Sequence, residues 1–187
     1  MYFQKKQDKR SEQRKKKLEA VLSEHFPFHS CYADFGRGKL HYIDEGNGPV
    51  IIMLHACPGW SFSFRHLIKT LSAEYRVIAV DQLGFGLSQE TTDGDYLLEG
   101  QTDTLARLVL HLNLKDITFL SHGRGTAIAL GFAVRNPELI RAFITFNSFS
   151  LEDFILPLRL RICRLPWIGF KLFTWFSVFF RDVKKLP

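Results

Sequence analysis

A chain of 187 residues with 46% hydrophobic side chains is long enough to bury one sizeable core, and a single main domain is the natural expectation. The net charge of +6 does not belong to that core: residues 1–17 carry eight basic side chains against Asp8 and Glu12, and the rest of the chain is balanced. This excludes a uniformly basic nucleic-acid-binding body. Residues 1–24 read as a solvated, frayed arm without the interleaved aromatics or motif that specific nucleic-acid recognition uses. Cys31, Cys57 and Cys163 are scattered, with no paired metal-ligand spacing, so no metal or other cofactor is expected. The N-terminus lacks an apolar signal core, and a reducing cytoplasm is the expected location.

From residue 30 the pattern alternates strand and helix. "SCYADF" and "KLHYID" predict two strands joined at Gly36 to Gly38, and "PVIIMLH" is a short apolar run suited to a strand covered on both faces. Helix "FSFRHLIKTLSAEY" and strand "RVIAV" follow. The loop "DQLGFGLSQETTDGD" leads to helix "YLLEGQTDTLARLVLHL", strand "DITFL", a second helix and strand "RAFITF". Helices of this length between strands predict crossovers and a mainly parallel sheet, with the opening pair antiparallel. In such sheets the chemistry sits at the carboxyl ends of the strands, here "HACPGW", "DQLGFGLS" and "SHGRG".

The last of these carries the strongest signal. "FLSHGRGTAIAL" passes from a strand through a tight turn into a helix, the setting in which a nucleophile is displayed at a strained elbow. Small residues are needed two before and two after the centre, and the register Ser121-His122-Gly123-Arg124-Gly125 supplies them. Centring on Ser121 would put bulky Phe119 at a small site. The central position is therefore Gly123, which offers no attacking atom but adopts a positive φ without strain.

By these motifs the segment from "YIDEGNGP" through "RNPELIRAFITFNS" resembles the haloalkane dehalogenase-like branch of the α/β-hydrolases. It is similar also to the lactone-processing hydrolases of bacterial olefin synthesis, a likeness that continues into "LPLRLRICRLPWIGFKL". The resemblance implies an α/β class chain with the α/β-hydrolase fold: a truncated core over 25–150, lacking the late strands, and the start of a helical cap over 151–187. It implies an ancestral hydrolysis of an apolar haloalkane-like or lactone-like substrate through an Asp-ester intermediate. The family's His-Gly-Asn-Pro stands here as His55-Ala56-Cys57-Pro58, and its His-Asp-Trp-Gly as His122-Gly123-Arg124-Gly125. The nucleophile and both halide ligands are thus replaced. Backbone N–H groups of Cys57 and Arg124 fall where the family has its oxyanion hole, and His55, Pro58, Trp60 and His122 fall at its substrate pocket.

The bland reading of each residue stands beside the functional one. Cys57 reads as a small buried apolar residue unless a base lies within reach; Arg124 points to solvent or pairs with an acid unless it attracts a carboxylate. His55 and His122 are expected to make structural hydrogen bonds, His66 and His111 to lie at surface or boundary positions, and Asp81 to cap a turn. Asn147 stands about where one subgroup carries its acid, with Glu152 and Asp153 somewhat later, and no C-terminal His follows. Two functions remain: a catalytically inactive hydrolase homologue, or a binding protein using the vacant pocket, the basic arm or the aromatic tail "LPWIGFKLFTWFSVFF". The tail is interrupted by Pro166, Gly169 and Lys171 and reads as a cap helix, so weak membrane association or self-association is expected of it, and a small apolar molecule of the pocket.

Overall fold

The computed structural model describes residues 24–92, 94 and 96–148. The expected cap, the whole arm apart from Glu24, Cys163, Glu152 and Asp153 lie outside the described residues.

Six strands form one sheet in the order β1-β2-β4-β3-β5-β6. The first two, β1 (Ser30–Asp34) and β2 (Lys39–Glu45), pair antiparallel, and β2 pairs antiparallel with β4 (Arg76–Val80). The remaining neighbours, β4 with β3 (Val50–Leu54), β3 with β5 (Ile117–His122) and β5 with β6 (Ile140–Phe146), are parallel. Each parallel step needs a crossover, supplied by α1 (Arg65–Leu71), α2 (Leu98–His111) and α3 (Arg124–Arg135). The mainly parallel sheet with an antiparallel opening is as the sequence predicts.

The apolar runs are explained by helices on both faces. Along β3, Ile52 and Leu54 join Leu105, Leu108, Ile128 and Phe132 of α2 and α3 in one cluster, while Ile51 and Met53 join Phe64 and Ile68 in another. Neither face meets water, so alternation of polar with apolar residues is lost. In α2 the buried Leu105, Leu108 and Val109 recur at helical spacing, which draws its stripe onto the sheet. Phe119 meets Phe132 edge-on at 5.8 Å and stacks on Phe143 at 5.5 Å, fixing α3 and β6 to β5.

Boundaries differ in two places. The helix expected from Phe62 opens as a 3₁₀ turn, Ser61–Phe64, before α1 begins. The strand expected to stop at Leu120 runs on to His122, because Ser121 and His122 keep partners in Thr145 and Phe146. Among the described strands β6 is an edge, with Ile144 and Phe146 nearly half exposed.

The helix α3 lies hard against β3. A Cβ added to Gly125 would stand 2.3 Å from the Leu54 carbonyl oxygen and 2.6 Å from its carbon, both backbone atoms that cannot rotate away. Gly125→Ala is therefore expected to lower stability by about 3 kcal/mol in urea unfolding. Gly131→Ala in the same helix, where the new methyl meets only the Thr102 side chain at 3.1 Å, is expected to change it by under about 1 kcal/mol.

Candidate functional site

Three loops leave the carboxyl ends of β3, β4 and β5. The elbow after β5 is a one-residue reversal: Gly123 has φ 53° and ψ −119°, and α3 starts at Arg124. Only glycine occupies that region without strain. Its N–H donates to the Phe146 carbonyl at 3.2 Å, which holds the turn to the end of β6. Ser121 is fully buried with its Oγ 3.0 Å from Thr126 Oγ1, so it is no displaced nucleophile. A Cβ at Gly123 would point at the loop after β3 and stand 3.0 Å from the Ala56 methyl carbon. Ala56 thus stands against the space in which an elbow side chain would begin.

Beside Ala56, Cys57 and Pro58 are exposed, joined by a cis peptide bond. The exposed thiol corrects the expectation of a buried apolar Cys57: the residue is the tip of a strand-end loop, not part of the core. Burial of part of the side chain still pushes its pKa up from 9.0, more than the neighbouring Arg124 charge draws it down. No base serves it. His55 is buried, with Nδ1 2.9 Å from the Ala56 carbonyl and Nε2 3.1 Å from the Gln82 N–H. Those partners assign the proton to Nδ1 and make Nε2 an acceptor. Burial lowers the His55 pKa, in keeping with a neutral ring. Gln82 closes the contact by donating its amide to the His55 carbonyl at 2.9 Å.

Arg124 is half-buried and pairs with no acid among the described residues. Its guanidinium donates to the carbonyl of Tyr96 and so ties the first turn of α3 to the segment before α2. The backbone N–H groups of Arg124 and Cys57 donate to no other described residue. The Trp60 ring stacks on Phe62 at 5.4 Å and tilts against Phe26 at 5.5 Å, which places it in the aromatic packing over α1. His122 is half-buried, its ring without a hydrogen bond to the described residues; His66 and His111 are exposed. Asn147 follows β6 directly, at φ 43°.

The largest polar feature was not legible in the sequence. Asp81, at the end of β4, is fully buried and accepts from His41 Nδ1 at 2.9 Å, the Ser61 N–H at 2.7 Å and the Leu87 N–H at 2.9 Å. His41 is equally buried, with Nε2 3.0 Å from Ser30 Oγ. Burial pushes the Asp81 carboxyl up, but these hydrogen bonds outweigh it and hold its pKa below 3.8. The turn-capping expectation for Asp81 holds for Ser61 and Leu87; the histidine is the addition. The single sequence signal was a polar His41 inside the apolar run of "KLHYID". Among the described residues no group of His, Cys, Asp or Glu is arranged to hold a metal, and no helix is long and apolar enough to cross a membrane.

The fold is shared with known proteins. The alpha/beta hydrolase fold family matches residues 49–169. The chain belongs to that family. Within it the chain is similar to the cis-3-alkyl-4-alkyloxetan-2-one decarboxylase of Shewanella oneidensis, 38% identical over 165 residues, covering 85% of this chain and 52% of the relative. It is similar also to haloalkane dehalogenase 2 of Mycobacterium bovis, 34% identical over 124 residues, 66% of this chain and 43% of the relative. A crystal structure of a haloalkane dehalogenase from Agrobacterium tumefaciens C58 superposes with a TM-score of 0.72 at 27% identity, over 83% of this chain and 55% of that one. The α/β-hydrolase spans about half the length of the curated relatives it matches.

Two measurements check the site. Iodoacetamide at pH 7.5 should alkylate Cys57 in the folded chain more slowly than the same cysteine in the urea-unfolded chain, because the raised pKa leaves less thiolate. Equal or faster reaction would mean an activated thiolate. The depressed pKa of Asp81 contributes stability above pH 3.8 that is lost as pH falls through its folded value. Asp81→Asn should cost about 3 kcal/mol at pH 7 by urea unfolding and lose less than wild type between pH 5 and pH 3.

Proposed function

We propose that this chain is a haloalkane dehalogenase-like α/β-hydrolase whose elbow cannot form a covalent intermediate, and that the protein has no hydrolytic turnover. The observation that carries the reading is Gly123 at the positive-φ centre of the elbow, with the Ala56 methyl 3.0 Å from where a nucleophile's Cβ would stand. Hydrolysis through an ester on Asp needs a carboxylate at that point, and neither glycine nor water placed beside it supplies the low-barrier two-step path. Cys57 does not take over, since both nitrogens of His55 are engaged and its thiol pKa is raised. The ancestral substrate class is an apolar haloalkane or lactone, as the names of the similar dehalogenases and oxetanone decarboxylase indicate for those proteins. The free thiols of Cys31 and Cys57 suit a reducing compartment, and the cytoplasm is the location we assign.

Ala56 sets a condition on any restoration. A side chain at position 123 requires the methyl at 56 to retreat, so the two positions are coupled. The test supplies the C-terminal half of an active relative to four chains: wild type, Gly123→Asp, Ala56→Gly, and the double variant. Bromoalkane, lactone and activated ester are the substrates. Wild type and Ala56→Gly should stay at the heat-killed background, and the double variant should exceed Gly123→Asp and stand more than about 100-fold above wild type. Turnover by wild type would overturn the reading.

A further inference from the structure

A second concavity lies at the other end of the sheet. The helices α2 and α3 run antiparallel to the strands they connect, so their C-terminal turns overlie the amino ends of β5 and β6, away from the elbow. Between those turns opens a groove of about 390 Å³. Its size falls in the range of small-molecule sites, roughly 300–1,000 Å³.

The floor is apolar, formed by the buried Val109, Leu114 and Phe132. Leu110 forms one wall while 76% exposed, an apolar surface left in water. The polar rim is one-sided: Arg107 and Lys115 both line it and no carboxylate does. Neither cation has a hydrogen bond or ion pair with another residue of the described chain. Arg76 grips Asp44 through two bonds of 2.9 and 2.7 Å and Arg135 reaches Asp103 at 2.6 Å, whereas Lys69 and Arg141, like the two groove cations, make no ion pair with the described residues. Scattered surface cations are ordinary; two uncompensated ones at the mouth of one apolar groove select for a ligand with an apolar tail and an anionic head.

We propose that this groove binds a fatty carboxylate of about ten carbons, its tail along Leu110, Leu114 and Phe132 and its carboxylate between Arg107 and Lys115. A groove of about 390 Å³ lies at the small end of ligand sites and suits a medium-chain carboxylate such as decanoate. The guanidinium can take both carboxylate oxygens while the ammonium adds a point charge. The site shares no residue with the elbow and does not depend on whether the elbow is catalytic.

Titration calorimetry of the 187-residue chain tests it with decanoate, with the matched cation decyltrimethylammonium, and with phosphatidylglycerol vesicles, all below micelle-forming concentrations of the soluble probes. Saturable binding of one decanoate per chain is expected, with the cation at least about tenfold weaker. Arg107→Gln with Lys115→Gln should weaken decanoate at least about tenfold, while Arg107→Lys with Lys115→Arg should keep affinity within about threefold. Both pairs sit on exposed side chains, and far-UV circular dichroism verifies that each variant is folded. The proposal is overturned by the absence of saturable decanoate binding, by equal affinity in the glutamine pair, by equal affinity for the cation, or by binding to vesicles alone.

Discussion

The turn between β5 and α3 reverses the chain within a single residue, and much of the described architecture is arranged to permit it. A positive φ at position 123 aims the first turn of α3 back across the sheet, and the helix can follow only if it approaches β3 at backbone contact, which Gly125 allows. That approach brings the loop after β3 beside the elbow, so residues 56 and 123 share one small volume. In a hydrolase the shared volume belongs to the nucleophile. Here a methyl group stands against it, and the backbone of the elbow persists without the side chain that normally justifies its strain. A glycine at this point removes the conformational penalty and offers no side-chain atom to attack with.

The loop after β4 is held by a different device. Asp81 gathers two backbone N–H groups and one imidazole inside the protein, and its partner His41 reaches through to Ser30 on the edge strand. The antiparallel opening of the sheet is therefore connected to the catalytic-end loops by buried hydrogen bonds as well as by packing. A buried charge of this kind is tolerated because three donors face its two oxygens; removing one would leave more of the desolvation uncompensated. Gln82 braces the His55 carbonyl and Arg124 braces the Tyr96 carbonyl, so both side chains support the backbone at this end.

The two ends of the sheet thus differ in how their charges are spent. At the carboxyl end Asp81, His55, Gln82 and Arg124 have partners within the protein, while Ser61 Oγ and the His122 ring have none among the described residues. At the amino end Arg107 and Lys115 stand over apolar surface with none. Parallel α/β architecture makes such a division natural, since the helices' C-terminal turns converge where the strands begin and their loops are free to diverge.

The sequence by itself determined the layered α/β class, the six strands and three crossovers to within a few residues, and the register that puts Gly123 at the elbow. These are local properties: apolar runs of strand length, helical spacing in "LARLVLHL", and the requirement for small residues on either side of a tight turn. It also placed Ala56 and Cys57 at a strand end. What only the tertiary structure decided were relations between segments far apart in the chain. His41 and Asp81 are separated by 40 residues and meet because β2 pairs with β4. Arg124 finds a carbonyl rather than an acid because the segment before α2 passes over the elbow. Cys57 is exposed because its loop leaves the sheet, although its neighbours at Leu54 and His55 are buried. Ala56 opposes Gly123 through the close approach of α3 to β3, a contact set by packing and invisible to any periodicity.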